Sequence, residues 1–420
     1  MIHIGARPGH GRVIRVVVLG EYRADRLVGP LRRAGAEVVV LGFLDLAAYL
    51  GPDVLCGRLP ADASDDTILA LLDDWRADIT IPNMCSPGQE QALRGYARIG
   101  PRRRASGHEM PVHSREFAVL ATDKVAFHRV AERRGWPAPR GAVCAGPREL
   151  ITAADRIGLP AVVKEARSES LAGRRHVPDR RVLHRIRTEL RYPLLLQEAV
   201  RGEEFAVELL SGPARTIAWP IASLGPLDAE CAPGRRARVQ PATVPERARR
   251  ELARVIADIV RTARPFGPWQ IDFAVSDDGR LHLIELNGRC GGVSNMSWAC
   301  TGLDPHAAHV AAVLGRMPPA PHPRRAALEF PVPNGVLLPA PPPGIDLLTF
   351  PGNPGNQGPW HSGAQRVVLA VPRHAPARAR VWLQNLPAQA LSIRPGSIVT
   401  QLAHGMRTLA TGSGTVPNLR

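Results

Sequence analysis

The stretch Trp269-Gln-Ile-Asp-Phe-Ala-Val-Ser-Asp-Asp-Gly-Arg-Leu-His-Leu-Ile-Glu-Leu-Asn287 holds two runs of alternating apolar and polar residues around an Asp-Gly pair. Alternation with a period of two is typical of β-strands, and Asp-Gly is a strong signal for a two-residue hairpin turn. With Asp278 and Gly279 in the turn, counting outward along both strands places Asp272 directly opposite Glu285. The sequence therefore predicts a β-hairpin that carries two opposed carboxylates on one face.

Two opposed carboxylates indicate a cation site. Directly opposed side chains lie roughly 5 Å apart at Cβ, where like charges destabilise the strands unless a positive charge lies between them. Asn287, two residues beyond Glu285, adds an amide oxygen to the same face. Such oxygens are the ligands that Mg²⁺ takes when substrate phosphates complete its shell, and Mn²⁺ is the alternative metal. The competing interpretation is an exposed hairpin whose acids are solvated, and another turn register would spoil the pairing with Asp272.

The chain contains only two lysines, Lys124 and Lys164, against 52 arginines. A lysine retained in such a chain is expected where a compact point charge is needed, as at a phosphate group. Lys164 ends an apolar, strand-like run, and Lys124 lies in the first turn of a helix, where a cation opposes the helix dipole. Either lysine alone could be an ordinary surface residue. Their rarity instead predicts that both bind phosphate.

The first 110 residues alternate strand-like and helical patterns. Apolar strands are predicted at Val16–Leu19, Glu37–Leu41 and Asp78–Pro82, separated by helical patterns. This order predicts an α/β domain with a small parallel sheet over residues 1–110. No G-x-G-x-x-G follows the first strand, so no dinucleotide site is assigned there.

Residues 111–317 are predicted to form an α+β body. Ser114 and Thr122 are expected N-caps of two helices, and residues 245–263 show apolar positions at helical spacing. Residues 318–420 begin with a proline-rich linker and are predicted to form a separate, β-rich C-terminal module. Its expected strands are Val367–Val371, Val381–Leu383 and Ser397–Leu402.

The composition describes a globular chain of enzyme size. At 420 residues it is too long for one ordinary core, so two or three domains around a shared cleft are expected. No stretch approaches the roughly 18 consecutive apolar residues that would span a membrane. The six cysteines show no C-x-x-C spacing, which argues against a zinc site or a disulfide framework and favours a reducing cytoplasm.

The net charge of +16 raises the question of nucleic-acid binding. The basic residues occur in short scattered groups, and aromatic residues, which would stack on bases, make up only 5% of the chain. The pattern therefore predicts that nucleic acid is not a partner.

Four motifs, in order, resemble those of the ATP-grasp superfamily. They are Thr-Asp-Lys at 122–124, Val-Val-Lys at 162–164, Gln-Glu-Ala-Val-Arg-Gly-Glu-Glu-Phe at 197–205, and Asp272 followed by Glu-Leu-Asn-Gly-Arg-Cys-Gly-Gly at 285–292. The resemblance covers roughly residues 13–317 and is strongest to carboxylate-amine ligases that act on amino acids or peptides. It implies a Rossmann-like N-terminal domain and two α+β subdomains that grip ATP between them.

The resemblance also implies roles for individual residues. Lys124 and Lys164 would bind the nucleotide phosphates, Glu198, Ala199 and Val200 the adenine edge, and Glu204 the ribose hydroxyls. Asp272, Glu285 and Asn287 would hold Mg²⁺, and Arg289 would contact the substrate carboxylate or its acyl phosphate, a task that suits a bidentate guanidinium.

The segment Ser168-Glu-Ser-Leu-Ala-Gly173 departs from the family pattern. The phosphate lid of the family is usually glycine-rich, whereas this segment has a single glycine. Ser170 is the expected phosphate contact within it. Arg174 and Arg175 follow the segment and could also reach phosphate.

The implied reaction is carboxylate activation, in which a carboxylate attacks the γ-phosphate of ATP and an amine then attacks the acyl phosphate to form an amide. One rival is ATP-dependent carboxylation through carboxyphosphate, and another is a non-catalytic ATP-binding protein. The expected partners are small-molecule carboxylate and amine substrates, with no nucleic acid and no membrane, and a homodimer is the assembly considered.

The expected substrate pocket includes Arg289, Ser294, Asn295 and the loop of residues 223–240. Within that loop Arg236 and Arg238 either meet an anionic group or are solvated, and the solvated state is the expected one.

Overall fold

The computed structural model describes residues 13–43, 46–85, 90–168, 173–227, 236–349 and 364–416. Their strands form three sheets, of four, nine and four strands. Among the helices of these residues, none is both long enough and apolar enough to cross a lipid bilayer.

The first sheet is parallel throughout, with strand order β3-β2-β1-β4. Parallel neighbours require crossover connections, and helices supply them here. The strands are apolar because helices and the following domain cover both faces. The predicted parallel sheet is confirmed. The elements are β1 (Arg15–Leu19), α1 (Asp25–Arg33), β2 (Glu37–Gly42), α2 (Ala47–Leu50), β3 (Leu55–Arg58), α3 (Asp65–Asp74), β4 (Ile79–Pro82) and α4 (Ala92–Ala105).

The second sheet is antiparallel, with order β5-β8-β6-β7, and packs against α7 and α8 through its own apolar cluster. Its elements and the two preceding helices are α5 (Arg115–Thr122), α6 (Lys124–Arg134), β5 (Gly141–Cys144), α7 (Pro147–Ile157), β6 (Ala161–Glu165), β7 (Arg174–Val177), α8 (Arg180–Ile186) and β8 (Leu194–Glu198).

The start of α6 corrects one predicted cap. Ser114 caps α5 as expected, by accepting from the Phe117 amide. Thr122 is not the cap of α6, because its hydroxyl donates to the Ala118 carbonyl within α5. Asp123 takes that position and accepts from the Ala126 amide.

The third sheet is antiparallel and runs β14-β13-β9-β11-β12-β15-β17-β16, with β10 paired to β9. It extends across most of the second half of the chain. Its elements and the helices around it are β9 (Gly202–Ser211), β10 (Thr216–Ala218), β11 (Ala222–Pro226), β12 (Arg238–Gln240), α9 (Glu246–Ala263), β13 (Gly267–Ser276), β14 (Leu281–Asn287), α10 (Ser294–Thr301), α11 (Pro305–Val313), β15 (Arg325–Pro333), β16 (Asp346–Thr349), β17 (Ala364–Pro372), α12 (Pro376–Gln384) and α13 (Pro395–Thr411).

The two faces of strands β9 and β13 differ in polarity. One face is apolar, carries Phe205, Val207, Ile271 and Phe273, and packs with the buried side of α9. Successive side chains of a strand point to opposite faces, so the intervening residues of β9 and β13 lie on the other face. That second face carries the acidic residues and points away from the apolar core formed with α9.

The C-terminal part is partly helical where strands were predicted. Val367–Val371 lies in β17 as expected, but Val381–Leu383 lies in α12 and Ser397–Leu402 in α13. Both helices begin with proline at the first helical position, which favours a helix start, and Gly412 in the left-handed conformation ends α13. β15 pairs with β12, so the C-terminal strands continue the large sheet.

The contribution of the apolar face to the free energy of unfolding can be measured at Phe273. It is fully buried and stacks on Phe205, with 5.6 Å between ring centroids. Phe273→Ala should lower the free energy of unfolding by about 3–5 kcal/mol, because it removes buried contacts and leaves a cavity. Urea midpoints measure the change. Val381→Ala, at a side chain that is 57% exposed, is the control and should shift the midpoint little. An equal shift for both variants would contradict this packing.

Candidate active site

The hairpin turn has three residues and not the predicted two. Asp277, Asp278 and Gly279 form it, and the Ser276 amide donates to the Arg280 carbonyl at 2.9 Å. Gly279 has φ +78°, the left-handed conformation that a three-residue hairpin loop needs at this position. The predicted turn register was therefore wrong by one residue.

A β-bulge on β14 restores the pairing of the two acids. Phe273 pairs with Leu283, whereas Asp272 pairs with Glu285, so Ile284 is an extra residue on β14. The bulge shifts the register by one residue in the direction opposite to the shift at the turn. The predicted opposition of Asp272 and Glu285 is confirmed for this reason.

The polar face of β9, β13 and β14 arranges its side chains in three rows. The first row holds Glu204, the middle row Asp272 and Glu285, and the third row Glu208, Gln270 and Asn287. Neighbouring rows are two residues apart along a strand, a spacing of about 6.5 Å. Asp272 and Glu285 therefore have Glu204 in the row on one side and Glu208 in the row on the other.

Asp272 is held by two amides. The Asn287 side-chain amide donates to its Oδ2 at 2.9 Å, and the Gln270 amide donates to its Oδ1 at 2.5 Å. Burial, and then the neighbouring Glu285 carboxylate, raise the pKa of Asp272 well above its ordinary value. A divalent cation between the acids would remove the cause of their repulsion, and the oxygen donors present fit Mg²⁺.

Glu285 is held ionised by cations. Burial would raise its pKa, but the charges of Lys124, Lys164, Arg174 and Arg289 lower it below its ordinary value. Lys124 Nζ lies 3.8 Å from Glu285 Oε2 and donates to the Ser168 carbonyl at 2.6 Å. The structure therefore brings the start of α6 to the acidic hairpin.

Lys164, on strand β6, acts on Glu285 through its charge. Its side chain is 7% exposed, and burial lowers its pKa to about 8, although Glu285 opposes that change. The charges of the two lysines of the chain, 40 positions apart in sequence, thus both act on Glu285.

The end of β8 and the residues after it are held by hydrogen bonds to neighbouring segments. The Glu198 carboxylate accepts from the Arg140 amide at 2.9 Å and from its Nε at 2.7 Å. Burial would raise the pKa of Glu198, but the Arg140 contacts lower it. The Ala199 amide donates to the Pro160 carbonyl at 3.1 Å, and Val200 lies next to it, before β9.

Arg236 is buried and Arg238 is only partly exposed, so the expectation that they are solvated was wrong. Arg236 Nη2 lies 2.8 Å from Glu204 Oε2. Arg238 Nη1 lies 3.3 Å from Glu329 Oε2 on β15. Burial and the neighbouring Arg366 lower the pKa of Arg238 to about 10. The C-terminal strands therefore contribute charged groups beside the acidic face.

Arg289 follows the hairpin and bridges to the N-terminal domain. Its Nε lies 2.5 Å from Oε1 of Glu90, just before α4. Burial would lower its pKa, but Glu90, Tyr22 and Asp272 raise it above its ordinary value. A cavity beside Arg289 is lined by residues of both domains, including Tyr22 and His113.

Two predicted positions need separate mention. Ser170 lies outside the described residues, so its contact with phosphate stays a prediction. Ser294 donates to Glu208, and Asn295 accepts from Arg26 Nη1 at 3.2 Å, and neither residue lines the cavity beside Arg289.

Glu208 is a site residue that sequence reasoning missed. It is fully buried, and its Oε1 accepts from the Ser294 hydroxyl and from the Gly291 amide at 3.2 Å. A Cβ at Gly291 would meet Gln270 Oε1 at 1.6 Å, so a side chain there would displace the Gln270 amide that donates to Asp272. Glu208 thus ties the loop that carries Arg289 to the sheet. The sequence feature that could have identified Glu208 is its position four residues after Glu204, which places both carboxylates on the same face of β9.

Glu90 was missed as well. Its position in the sequence gives no sign that it pairs with Arg289, because only the packing of the N-terminal domain brings them together. Together these contacts bring acids and cations to the polar face of the third sheet: Glu204, Glu208, Asp272 and Glu285, with Lys124, Lys164 and Arg289.

Comparison with known proteins shows the fold. No protein-family model matches the chain. The carbamoyl phosphate synthase large chain of Kocuria rhizophila is 22% identical over 295 residues, which are 67% of this chain and 26% of that one. The chain therefore spans about a quarter of the length of the curated relative it matches.

Two solved structures match over nearly the whole chain. The biotin carboxylase domain of 2-oxoglutarate carboxylase from Hydrogenobacter thermophilus, solved with MgADP, ADP and bicarbonate, gives a TM-score of 0.70 at 14% identity, covering 97% of this chain and 98% of that one. N5-carboxyaminoimidazole ribonucleotide synthetase from Thermotoga maritima gives 0.65 at 14% identity, covering 89% and 99%. At this identity the likeness establishes the fold alone.

Glu208 predicts a pH dependence of stability. Burial raises its pKa to about 7, against the hydrogen bonds of Ser294 and Ser297, which lower it. Between about pH 5 and 7 the folded protein holds a proton that the unfolded chain has released, so stability falls as pH rises through this window. Glu208→Gln replaces the carboxylic acid with an amide that does not titrate, so the variant lacks this loss of stability between about pH 5 and 7.

The measurement is the urea midpoint of wild type and Glu208→Gln at pH 5 and pH 8. The variant should gain stability relative to wild type on going from pH 5 to pH 8. A difference between the two proteins that is the same at both pH values would show that Glu208 does not titrate in this window.

Proposed function

The chain has the ATP-grasp fold, which biotin carboxylases and N5-carboxyaminoimidazole ribonucleotide synthetases share, and on this premise we propose that it is an ATP- and Mg²⁺-dependent ligase. In this proposal it activates a substrate carboxylate as an acyl phosphate, releases ADP, and passes the acyl group to an amine. The observation that carries the proposal is the opposed pair Asp272 and Glu285, with Lys124, Lys164 and Arg289 around it.

The three rows of the polar face suggest the order of the bound groups. Glu204 in the first row would hold the ribose, with the adenine edge against the backbone of residues 198–200. Lys124 and Lys164 would hold the phosphates above the middle row. Mg²⁺ on Asp272, Glu285 and Asn287 would neutralise phosphate charge during transfer.

Arg289 would position the reacting carboxylate on the far side of the middle row. A guanidinium binds a carboxylate through two parallel hydrogen bonds, and Glu90 already fixes one edge of this guanidinium. The cavity beside Arg289 is the proposed place for the acid and the amine. No protein nucleophile is needed, since positioning and charge neutralisation supply the catalysis.

The proposed substrates are small-molecule carboxylates and amines of the amino-acid class. The proposal includes a cytoplasmic location and a homodimer, and it assigns no role to nucleic acid or a membrane. The division into residues 1–110, 111–317 and 318–420 is also kept as a proposal.

A second candidate is ATP-dependent carboxylation. It is favoured by the match to the Hydrogenobacter thermophilus domain, which was solved with bicarbonate. An ADP-release screen over paired amino acids, with and without added bicarbonate and with products read by mass spectrometry, separates the two reactions. ADP release that requires bicarbonate and no amino acid would support carboxylation and contradict the amide-forming proposal.

Glu285→Ala tests the metal and phosphate site. The variant should form ADP at least about 100-fold more slowly than wild type, because the site loses a carboxylate needed to bind the metal. Asp277→Ala, an exposed acid on the turn of the same hairpin, is the matched control and should keep wild-type turnover.

Circular dichroism and the urea midpoint of both variants check that the fold is intact. Wild-type turnover in Glu285→Ala would refute the assignment of this site. ATP binding by wild type without ADP release from any substrate mixture would instead support a non-catalytic ATP-binding protein.

A further inference from the structure

Arg174 lies directly opposite Lys164 on the antiparallel strands β7 and β6. Opposed residues share one face of the sheet, with Cβ atoms roughly 5 Å apart, so two cations are held side by side. Within the described part of the chain, neither side chain has an ion-pair partner within 4 Å. Two opposed cations without an acid between them destabilise the strands, and a bound anion would remove that cost.

The charge of Arg174 acts on the acidic hairpin as well as on Lys164. It acts on both neighbours there, since it helps to lower the pKa of Lys164 and that of Glu285. Arg174 is partly buried, whereas its neighbour Arg175 is exposed. The second sheet therefore presents two cations to the metal site, just as the hairpin presents two acids.

We propose that Arg174 is a phosphate-binding residue that holds the β- or γ-phosphate of ATP together with Lys164. The inference deepens the proposed function and rests on ATP being the nucleotide bound. A guanidinium can donate two parallel hydrogen bonds to one phosphate group, which the single ammonium of Lys164 cannot do. Opposed cations and opposed acids together match a triphosphate with its metal.

Arg175 provides a matched control. It is the next residue of β7, pairs with Val163, and donates from Nη1 to the Arg174 carbonyl at 3.0 Å. Successive side chains of a strand point to opposite faces, so Arg175 lies on the face away from Lys164. Arg174→Gln and Arg175→Gln remove the same charge from adjacent positions.

The experiment measures the affinities of MgATP and AMP for wild type, Arg174→Gln, Arg174→Lys and Arg175→Gln by calorimetry. A salt concentration of about 150 mM limits the reach of unpaired charges to about 8 Å. Arg174→Gln should weaken MgATP binding about 10- to 100-fold, the range for hydrogen bonds to a charged group. AMP, which lacks the outer phosphates, should bind all four proteins within about twofold.

The controls decide between a direct contact and a general effect of charge. Arg175→Gln should bind MgATP like wild type. The affinity of Arg174→Lys for MgATP should lie between those of wild type and Arg174→Gln, because lysine keeps the positive charge but cannot donate two parallel hydrogen bonds to one phosphate group. Unchanged MgATP binding by Arg174→Gln, an equal loss in Arg175→Gln, or an equal loss of AMP affinity would each overturn the inference.

These affinities do not depend on turnover. If no substrate mixture releases ADP but Arg174→Gln selectively loses MgATP affinity, the ligase proposal fails and the role of Arg174 stands. Wild-type protein that binds no MgATP would overturn both.

Discussion

The repulsion between Asp272 and Glu285 is the interaction on which the rest of the site depends. Strand pairing forces the two carboxylates together, and the burial of Asp272 reduces the screening of their repulsion by water. Cations from separate parts of the chain offset this repulsion. They are Lys124 at a helix start, Lys164 on the second sheet, and Arg289 on the loop after the hairpin. Each of these cations is itself costly to bury, so acids and cations stabilise one another only as an assembled set.

The large sheet supports this assembly because one of its faces packs in the core and the other carries the charged groups. Phe205 and Phe273 pack into the core under α9, while Glu204 and Asp272, one residue away on the same strands, face the site. A strand that is fixed on one face by packing holds the other face in register, so the acids need no loop to position them. Polar groups on rigid strands are also more precisely placed than groups on loops.

Sequence reasoning found what is local and missed what is distant. The opposed acids followed from strand alternation, and the two lysines from their rarity, because both signals lie within a few residues or in the composition. The turn length and the bulge at Ile284 escaped it, since each depends on backbone geometry that residue types fix only weakly. The ion pairs of Glu90 with Arg289 and of Arg238 with Glu329 depend on contacts between segments far apart in sequence. The C-terminal helices were misread because their apolar runs suit either element without tertiary context.

The bulge at Ile284 also bears on how this hairpin can change in length. The three-residue turn and the bulge each add one residue relative to a regular two-residue hairpin with the same pairs. Loss of one turn residue would leave the pairs from Ser276–Arg280 to Asp272–Glu285 unchanged. Loss of Ile284, which has no partner on β13, would bring Leu283 and Glu285 together in a regular ladder that still sets Asp272 opposite Glu285. The hairpin can therefore shorten at either place without separating the two acids, whereas loss of a paired strand residue would turn one acid toward the core.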